Sequence, residues 1–291
     1  VLGACSLKRL QQLDLESAFG TRIPGAGPRL VWTLATHKAL SSTTRGKIRK
    51  SLAQRFPGPF DVTADGVNIR AYPFENYCDR IAIGRGHLPE IPERTLIGPL
   101  LRPGMVFVDI GANIGTYSLF VASRCSDRAR ILSFEPHPRT FAKLAFNVRA
   151  NGFSSIEAIN EGVGAEKGEV SLYSSGGTNI GTASILPQAV GKENRVDIKV
   201  AVLAETLAAR NIERVDLLKI DIEGFEDRAL LPLMSVENET LWPAAILIET
   251  VLRQHWQADC VAELTARGYT IAGDTGENIL LRHPMTEKLE S

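Results

Sequence analysis

The sequence has few cysteines, and they form no cluster. Cys5, Cys78, Cys125 and Cys260 lie far apart, and no pair has the CxxC spacing of a zinc or redox site. Scattered free thiols are typical of a reducing compartment, whereas small secreted domains depend on dense disulfides. We therefore expect a cytoplasmic protein without a disulfide framework and without a metal centre.

Long apolar runs and an excess of one charge sign are also missing. No apolar stretch approaches the roughly 20 residues that a transmembrane helix needs. The 33 Lys and Arg residues balance 33 Asp and Glu residues, so no global field attracts polyanions, and nucleic acid is not an expected partner. A basic stretch between Arg45 and Arg55 is more typical of a solvated helix face than of a phosphate or membrane patch.

Residues 1–100 predict a helical and β-hairpin extension. Apolar residues recur at helical spacing in "SLKRLQQLDLESAFG" and "RLVWTLATHKALSS". "FDVTADGVNIRAY" contains two alternating segments around Asp65-Gly66, which is a strong hairpin signal. "RIAIG" predicts a third short strand, and "ERTLIGPLL" predicts a short helix.

Residues 101–291 predict the main domain, because five short apolar strands there alternate with helical segments. This order is typical of a parallel, doubly wound α/β sheet. "GEVSLYSS" and "DIKVAVL" predict an added pair of strands, and "YTIAG" and "NILLRH" predict a terminal antiparallel pair. We therefore expect a Rossmann-like, seven-stranded α/β sheet with an antiparallel terminal strand.

A glycine loop follows the first strand of that sheet, in "VFVDIGANIG". Gly111 and Gly115 allow a tight turn and a close approach of the backbone to a ligand above a helix N-terminus. Glu135 ends the next strand, about 24 residues after Gly111, where a carboxylate can accept hydrogen bonds from both hydroxyls of a ribose. The combination predicts a cofactor that contains a nucleoside.

The same loop discriminates between two cofactors. A dinucleotide fingerprint has glycine at the middle position of GxGxxG, and this loop has Asn113 there. Asp109, just before the loop, would repel a pyrophosphate but would attract a cation. S-adenosylmethionine carries two cationic groups and no phosphate, so we prefer it to a nicotinamide dinucleotide.

A second motif, "LLKIDIEGFE", places charges at the end of a buried strand. The alternation of a strand puts Lys219, Asp221 and Glu223 on one face and apolar residues on the other. A lone buried charge costs several kcal/mol, and a Lys-Asp pair lowers that cost. Glu226 falls on the following helix and is expected to be an ordinary helix residue.

These segments, together with "LSFEPHPRTFAKLAFNVRANG", make the chain resemble the FkbM family of methyltransferases over about residues 104 to 250. The resemblance implies S-adenosylmethionine as cofactor and methyl transfer to a hydroxyl of a sugar, glycan or natural product. It assigns Asp109, Gly111, Asn113 and Gly115 to the cofactor loop and Glu135 to the ribose.

The resemblance also matches Lys219, Asp221, Glu223 and Gly224 to the family's second motif. The family often has an aromatic-Glu-Pro segment before the first strand. Here "GHLPEIPE" offers Glu90 after Leu88 and Pro89 instead, which puts the identity of the acceptor in doubt.

An alcohol becomes a useful nucleophile when a base takes its proton. We expect Asp221 or Lys219 to do so, with Glu223 holding a substrate hydroxyl. Two alternatives remain open: a divalent metal bound by Asp221, Glu223 and Glu249, and a purely structural ion pair.

Weaker candidates complete the prediction. Glu161 is expected at the adenine edge, and His87 and His255 are possible bases. Asn179 and Thr182, in a Gly-rich loop, are possible cofactor or acceptor contacts. The chain could also form a homodimer, retain the cofactor without turnover as part of an assembly, or be a nicotinamide-dependent oxidoreductase.

Overall fold

The computed structural model describes residues 12–36, 39–174, 183–190, 194–236 and 238–284. Its strands are β1 Phe60–Ala64, β2 Val67–Ala71, β3 Val106–Ile110, β4 Arg130–Phe134, β5 Ile156–Ile159, β6 Gly162–Val163, β7 Gly168–Ser174, β8 Ala183–Ser184, β9 Asn194–Ala201, β10 Leu217–Ile220, β11 Ala245–Glu249, β12 Thr270–Asp274 and β13 Asn278–Arg282. Its helices are α1 Ala26–Leu34, α2 Ser42–Arg55, α3 Tyr77–Arg85, α4 Ile91–Ile97, α5 Thr116–Arg124, α6 Pro138–Asn151, α7 Pro187–Val190, α8 Leu203–Ala208, α9 Glu226–Leu230 and α10 Cys260–Ala266.

A seven-stranded sheet organises the fold, in the order β12-β13-β11-β10-β3-β4-β5. The five strands from β11 to β5 are parallel, and β13 runs antiparallel to both β11 and β12. The strand order reverses between β3 and β10, which is where doubly wound sheets bind ligands. The predicted Rossmann-like sheet with an antiparallel terminal strand is confirmed.

The sheet buries one apolar layer on each face. Leu218 and Ile220 of β10 pack into one core cluster, and Leu217 of the same strand packs into the other. Burial on both faces explains why these strands are apolar throughout, with polar residues concentrated at their carboxyl ends. The predicted pair β7 and β9 forms an antiparallel ladder in a separate four-stranded sheet.

The N-terminal hairpin is attached to the main sheet through α6. Asn147 of α6 accepts a hydrogen bond from the Arg70 backbone N–H of β2 at 2.9 Å and donates to the Ile114 carbonyl at 3.0 Å. One buried amide therefore joins the hairpin to the loop after β3. The predicted hairpin is confirmed, with Asp65 and Gly66 both at positive φ in its turn.

Two predictions for this part of the chain are wrong. "RIAIG" belongs to α3, because the Asn76 side chain caps the Cys78 N–H and Gly86, at φ 65°, ends the helix. Residues 12–25 contain no helix. The buried Arg70 instead donates to the carbonyls of Asp14, Ser17 and Ala18 and holds the segment in an irregular path. The start of that predicted helix, residues 6–11, lies outside the described residues.

In the part of the chain that the structure describes, no helix is both long and apolar enough to cross a membrane.

Candidate active site

The loop after β3 depends on two glycines for different reasons. A Cβ atom on Gly111 would lie 2.0 Å from the Asp221 carbonyl oxygen, and the residue has φ 77°. Gly115 has φ 94°, and its Cβ would meet the Leu144 side chain at 2.7 Å. Gly111 therefore lets β3 and β10 approach at their carboxyl ends, while Gly115 lets α5 begin against α6.

Lys219 and Asp109 are paired residues on neighbouring strands β10 and β3. The Lys219 ammonium lies 3.7 Å from Asp109, 3.6 Å from Asp221 and 2.9 Å from the Gly111 carbonyl. Burial disfavours its charge, but Asp221 and Asp109 outweigh burial and raise the pKa of Lys219 above its usual range. The side chain is therefore an ammonium that holds two carboxylates at the end of the strands.

Glu135 follows β4 and faces the glycine loop. Its carboxylate accepts hydrogen bonds of 2.9 Å from the backbone N–H groups of Asn113 and His137. Burial raises the pKa of Glu135 to about 7, against the effect of these two bonds. Asn113, at φ 52°, also accepts a 2.6 Å hydrogen bond from the Asn76 side chain. The loop is thus tied to both β4 and the N-terminal extension.

More carboxyl groups enter from separate segments. Burial, with the nearby charges of Asp221 and Glu226, raises the pKa of Glu223 to about 8. Burial and the Asp221 charge raise the pKa of Glu249 to about 10, and its buried Oε2 has no hydrogen-bond partner among the described residues. Burial also raises the pKa of Glu90 to about 7.

These residues line one cavity of about 230 Å³. The described part of its wall carries six carboxyl groups, from Glu90, Glu135, Asp221, Glu223, Glu249 and Glu277, against one cation, Lys219. Tyr117, the second residue of α5, lies under the Lys219 ammonium, with 5.3 Å between the nitrogen and the ring centre. An acidic wall of this kind is suited to a cationic ligand and disfavours phosphate.

The cavity brings together six of the nine predicted site residues, namely Gly111, Asn113, Glu135, Lys219, Asp221 and Glu223. Asp109 lies beneath it, fully buried, and accepts a 2.6 Å hydrogen bond from Ser118. Gly115 packs against Leu144 instead of lining the cavity. Glu161 borders an adjoining apolar pocket with Phe134 and Leu172.

The expectation that Glu226 is an ordinary helix residue is wrong. Its carboxylate is buried and accepts hydrogen bonds from the Ile222 and Gly224 backbone N–H groups and from the Trp256 indole. It therefore shapes the turn on which Glu223 sits, at φ 58°. The contact with Trp256 spans 30 residues of sequence, and no local pattern predicts it.

The two histidine candidates are not among the described residues that line the cavity. His87 borders a separate surface pocket, and the Cβ of His255 packs near Gly224. Asn179 and Thr182 lie outside the described residues. Within the described ranges, no group of three His, Cys, Asp or Glu side chains is arranged to hold a metal ion.

Sequence reasoning also missed cavity residues from the N-terminal extension. Asn76, Tyr77 and Cys78, at the start of α3, line the cavity beside Glu90. Of these four, Glu90 alone had a signal, the Glu in "LPEIPE" before the first strand. The others follow from the packing of α3, which contacts the hairpin of β1 and β2 and places Cys78 in the same core cluster as Tyr117.

Comparison with known proteins agrees with this geometry. The family model described as methyltransferase FkbM domain matches residues 109–262, just over half of the chain. Methyltransferase sdnD of Sordaria araneosa is 29% identical over 205 residues, which cover 58% of this chain and 75% of that protein. The hexuronic acid methyltransferase AglP of Haloferax volcanii is 30% identical over 122 residues, which cover 42% and 46%.

The 31-O-demethyl-FK506 methyltransferase FkbM of Streptomyces tacrolimicus is 27% identical over 208 residues, which cover 61% of this chain and 77% of that protein. The matched segments thus span from about half to three quarters of these relatives. The family match includes the loop after β3, the acid after β4 and the charged end of β10. The chain therefore belongs to the FkbM family of methyltransferases.

Proposed function

We propose that the chain transfers a methyl group from S-adenosylmethionine to a hydroxyl oxygen of a sugar, glycan or natural product. The observation that carries the proposal is the cavity wall, where six carboxyl groups surround the Lys219 ammonium at the reversal of strand order. Glu249 Oε2 in that wall, which lacks a hydrogen-bond partner among the described residues, fits a ligand that brings positive charge. When bound, S-adenosylmethionine supplies an electrophilic methyl group on a cationic sulfur.

The residues around the glycine loop bind and orient the cofactor in this proposal. Gly111 permits close approach of the backbone, and Glu135 accepts hydrogen bonds from ribose hydroxyls beside Asn113. The apolar pocket that Glu161 borders adjoins the cavity through Gly111 and Leu172, and it offers space for the adenine. Asp109 and Gly115 support the loop from below.

Asp221 acts as the proton acceptor. Its side chain is 31% exposed at the cavity wall, so it can reach an acceptor hydroxyl. Lys219 stays protonated beside it and balances the charge of the carboxylates. The Lys219 amine is therefore not available to accept the proton. Glu223 and Glu90 also line the cavity, and in this proposal they hold acceptor hydroxyls. A base in this position contributes about 10²–10⁴-fold to a rate.

The relatives support an oxygen acceptor. One is named for hexuronic acid and another for 31-O-demethyl-FK506, which are a sugar acid and a demethylated natural product. Membership of a methyltransferase family removes the reason to prefer a nicotinamide-dependent oxidoreductase.

The test combines cofactor titration with transfer of labelled methyl to saccharides, sugar acids and hydroxylated natural products. We expect S-adenosylmethionine to bind and NAD not to bind. Asp221→Asn should lower turnover by about 10²–10⁴-fold while cofactor affinity changes little. The matched control is Asp197→Asn, because Asp197 lies exposed on β9 away from the cavity. Equal turnover in both variants would remove Asp221 from the mechanism, and tight cofactor binding without transfer to any acceptor would favour a module without turnover.

A further inference from the structure

A pair of amide side chains, Asn76 and Asn113, joins the N-terminal extension to the glycine loop. Asn76 precedes α3 and is 1% exposed, and its Oδ1 accepts a 2.8 Å hydrogen bond from the Cys78 backbone N–H. Its Nδ2 donates a 2.6 Å hydrogen bond to Asn113 Oδ1. One buried amide therefore uses its oxygen to begin a helix and its nitrogen to hold the loop.

This arrangement determines which way the Asn113 amide faces. A backbone N–H group can only donate, so the Asn76 atom that faces Cys78 must be the oxygen and the other must be the nitrogen. That nitrogen in turn donates, so the Asn113 atom that it meets must be the oxygen. Among the described residues, none accepts a hydrogen bond from Asn113 Nδ2. Because Asn113 lines the cavity, its NH2 group is the part of the side chain that remains for a ligand.

The surrounding contacts hold both asparagines in place. Glu75, next to Asn76, is 1% exposed and forms ion pairs with Arg139 at 2.6 Å and with Lys143 at 2.9 Å, both on α6. On the other side of the loop, Glu135 accepts a hydrogen bond from the Asn113 backbone N–H. The backbone of Asn113 lies at φ 52°, a region that asparagine enters more readily than most residues. The amide pair is therefore fixed from two directions.

The cavity is rich in hydrogen-bond acceptors, and this matters for the one anionic group of S-adenosylmethionine. The carboxyl groups of the wall suit the ammonium and the sulfonium, and ribose hydroxyls can donate to Glu135. The cofactor's carboxylate can only accept hydrogen bonds, and the same wall repels it. The Lys219 ammonium is already engaged by Asp109 and Asp221. A neutral NH2 group that faces the cavity can satisfy this carboxylate.

We propose that Asn76 is a positioning residue for the cofactor. Through its hydrogen bond to Asn113 Oδ1, it turns the Asn113 NH2 group toward the carboxylate of S-adenosylmethionine. This role rests on the proposed function and gives the N-terminal extension a part in it. Helix α5 begins at Thr116 with no acid in its first turn, and its amino end favours the same negative group.

The test is calorimetric titration of the full chain with S-adenosylmethionine and with decarboxylated S-adenosylmethionine, which keeps the sulfonium and the ammonium and lacks the carboxylate. Asn113→Gly removes the amide and suits the positive φ. It should weaken S-adenosylmethionine binding at least about tenfold and change the affinity for the decarboxylated ligand by less than about twofold. Asn76→Ser keeps a residue that caps α3 but is too short to reach Asn113. It should weaken S-adenosylmethionine binding about three- to tenfold and again spare the decarboxylated ligand.

A double variant shows whether Asn76 acts through Asn113. In the Asn113→Gly background, Asn76→Ser should weaken S-adenosylmethionine binding no further, because the amide that it orients is gone. The matched control is Asn238→Ser, since Asn238 also caps a helical turn, with its Oδ1 accepting the Thr240 N–H, and is not among the described residues that line the cavity. Both affinities of this control should equal those of wild type.

The proposed role of Asn76 is overturned if Asn76→Ser or Asn113→Gly weakens binding of both ligands equally, as a general loss of structure would. It is also overturned if either variant leaves both affinities unchanged, or if the effects of the two substitutions add. In each of these cases, binding of S-adenosylmethionine to wild type leaves the proposed function standing. If wild type binds neither ligand, the proposed function fails and the role of Asn76 fails with it.

Discussion

The cavity at the ends of β3 and β10 and the surface of α1 and α2 carry opposite charge in one neutral chain. The cavity gathers six carboxyl groups around Lys219, whereas the sequence between Glu16 and Asp61 has no acid. Most charged side chains of the cavity are buried or partly buried, so their interactions are strengthened, while Lys47 and Lys50 of α2 are exposed and screened by salt. The net charge of zero is therefore the sum over regions of opposite local charge, and it does not describe either region.

The largest effect should come from removing the Lys219 ammonium from the cavity. Lys219→Met leaves Asp109 buried without its partner, and breaking such a pair costs about 3–5 kcal/mol of unfolding free energy. Lys219→Met/Asp109→Asn removes the orphaned charge as well and should recover part of the loss. Urea denaturation measures both. A double variant no more stable than the single one would show that the pair with Asp109 is not what Lys219 stabilises.

Replacing Gly111 in the cavity should destabilise the protein more than replacing Gly66, a hairpin glycine with a similar φ. A Cβ added to Gly111, at φ 77°, would lie 2.0 Å from the Asp221 carbonyl oxygen, whereas a Cβ on Gly66, at φ 85°, would meet open space. Gly66→Ala should cost about 1–2 kcal/mol, the usual strain of that conformation. Gly111→Ala should cost at least about 2 kcal/mol more and abolish cofactor binding. If the two variants unfolded at similar temperatures, the positive φ alone, and not the lack of space for a Cβ atom, would explain why Gly111 must be glycine.

The affinity for S-adenosylmethionine should rise between about pH 6 and pH 8. Glu135 and Glu223, with pKa values of about 7 and about 8, are protonated at the lower pH, and a cation binds the ionised form better. One linked proton changes affinity by up to about tenfold per pH unit. S-adenosylhomocysteine lacks the sulfonium charge and is the control, with a shallower slope by calorimetry. If the affinities for both ligands rose equally with pH, the ionisation of these carboxyl groups would not be coupled to the sulfonium charge.

The smallest effect should come from the exposed helices. Lys47→Glu/Lys50→Glu should change the free energy of unfolding by no more than about 0.5 kcal/mol, because both side chains are exposed. Cofactor affinity should stay unchanged, since distant independent sites act additively. Thermal unfolding measures the change in stability, and titration with S-adenosylmethionine measures the cofactor affinity. A clear loss of cofactor affinity would show that the two regions are energetically coupled.

Strand and loop predictions succeeded where the signal was local. The Asp65-Gly66 turn and the apolar strands β3 and β10 are read from neighbouring residues. The prediction of a strand at "RIAIG" failed because five alternating residues also fit a helix. The Asn76 cap and Gly86 favour the helix over the strand. Residues 12–25 misled because helical spacing there competes with the hydrogen bonds from Arg70.

The sequence by itself determined where the strands lie along the chain, the position of the glycine loop and the charged end of β10, because each depends on residues close together in the chain. The tertiary structure decided which acids share the cavity, since Glu90, Glu249 and Glu277 come from separate segments. It also decided that Lys219 is an ammonium and that Glu226 holds the turn. Burial and electrostatic interaction are sums over groups distant in sequence, so only the folded chain sets them.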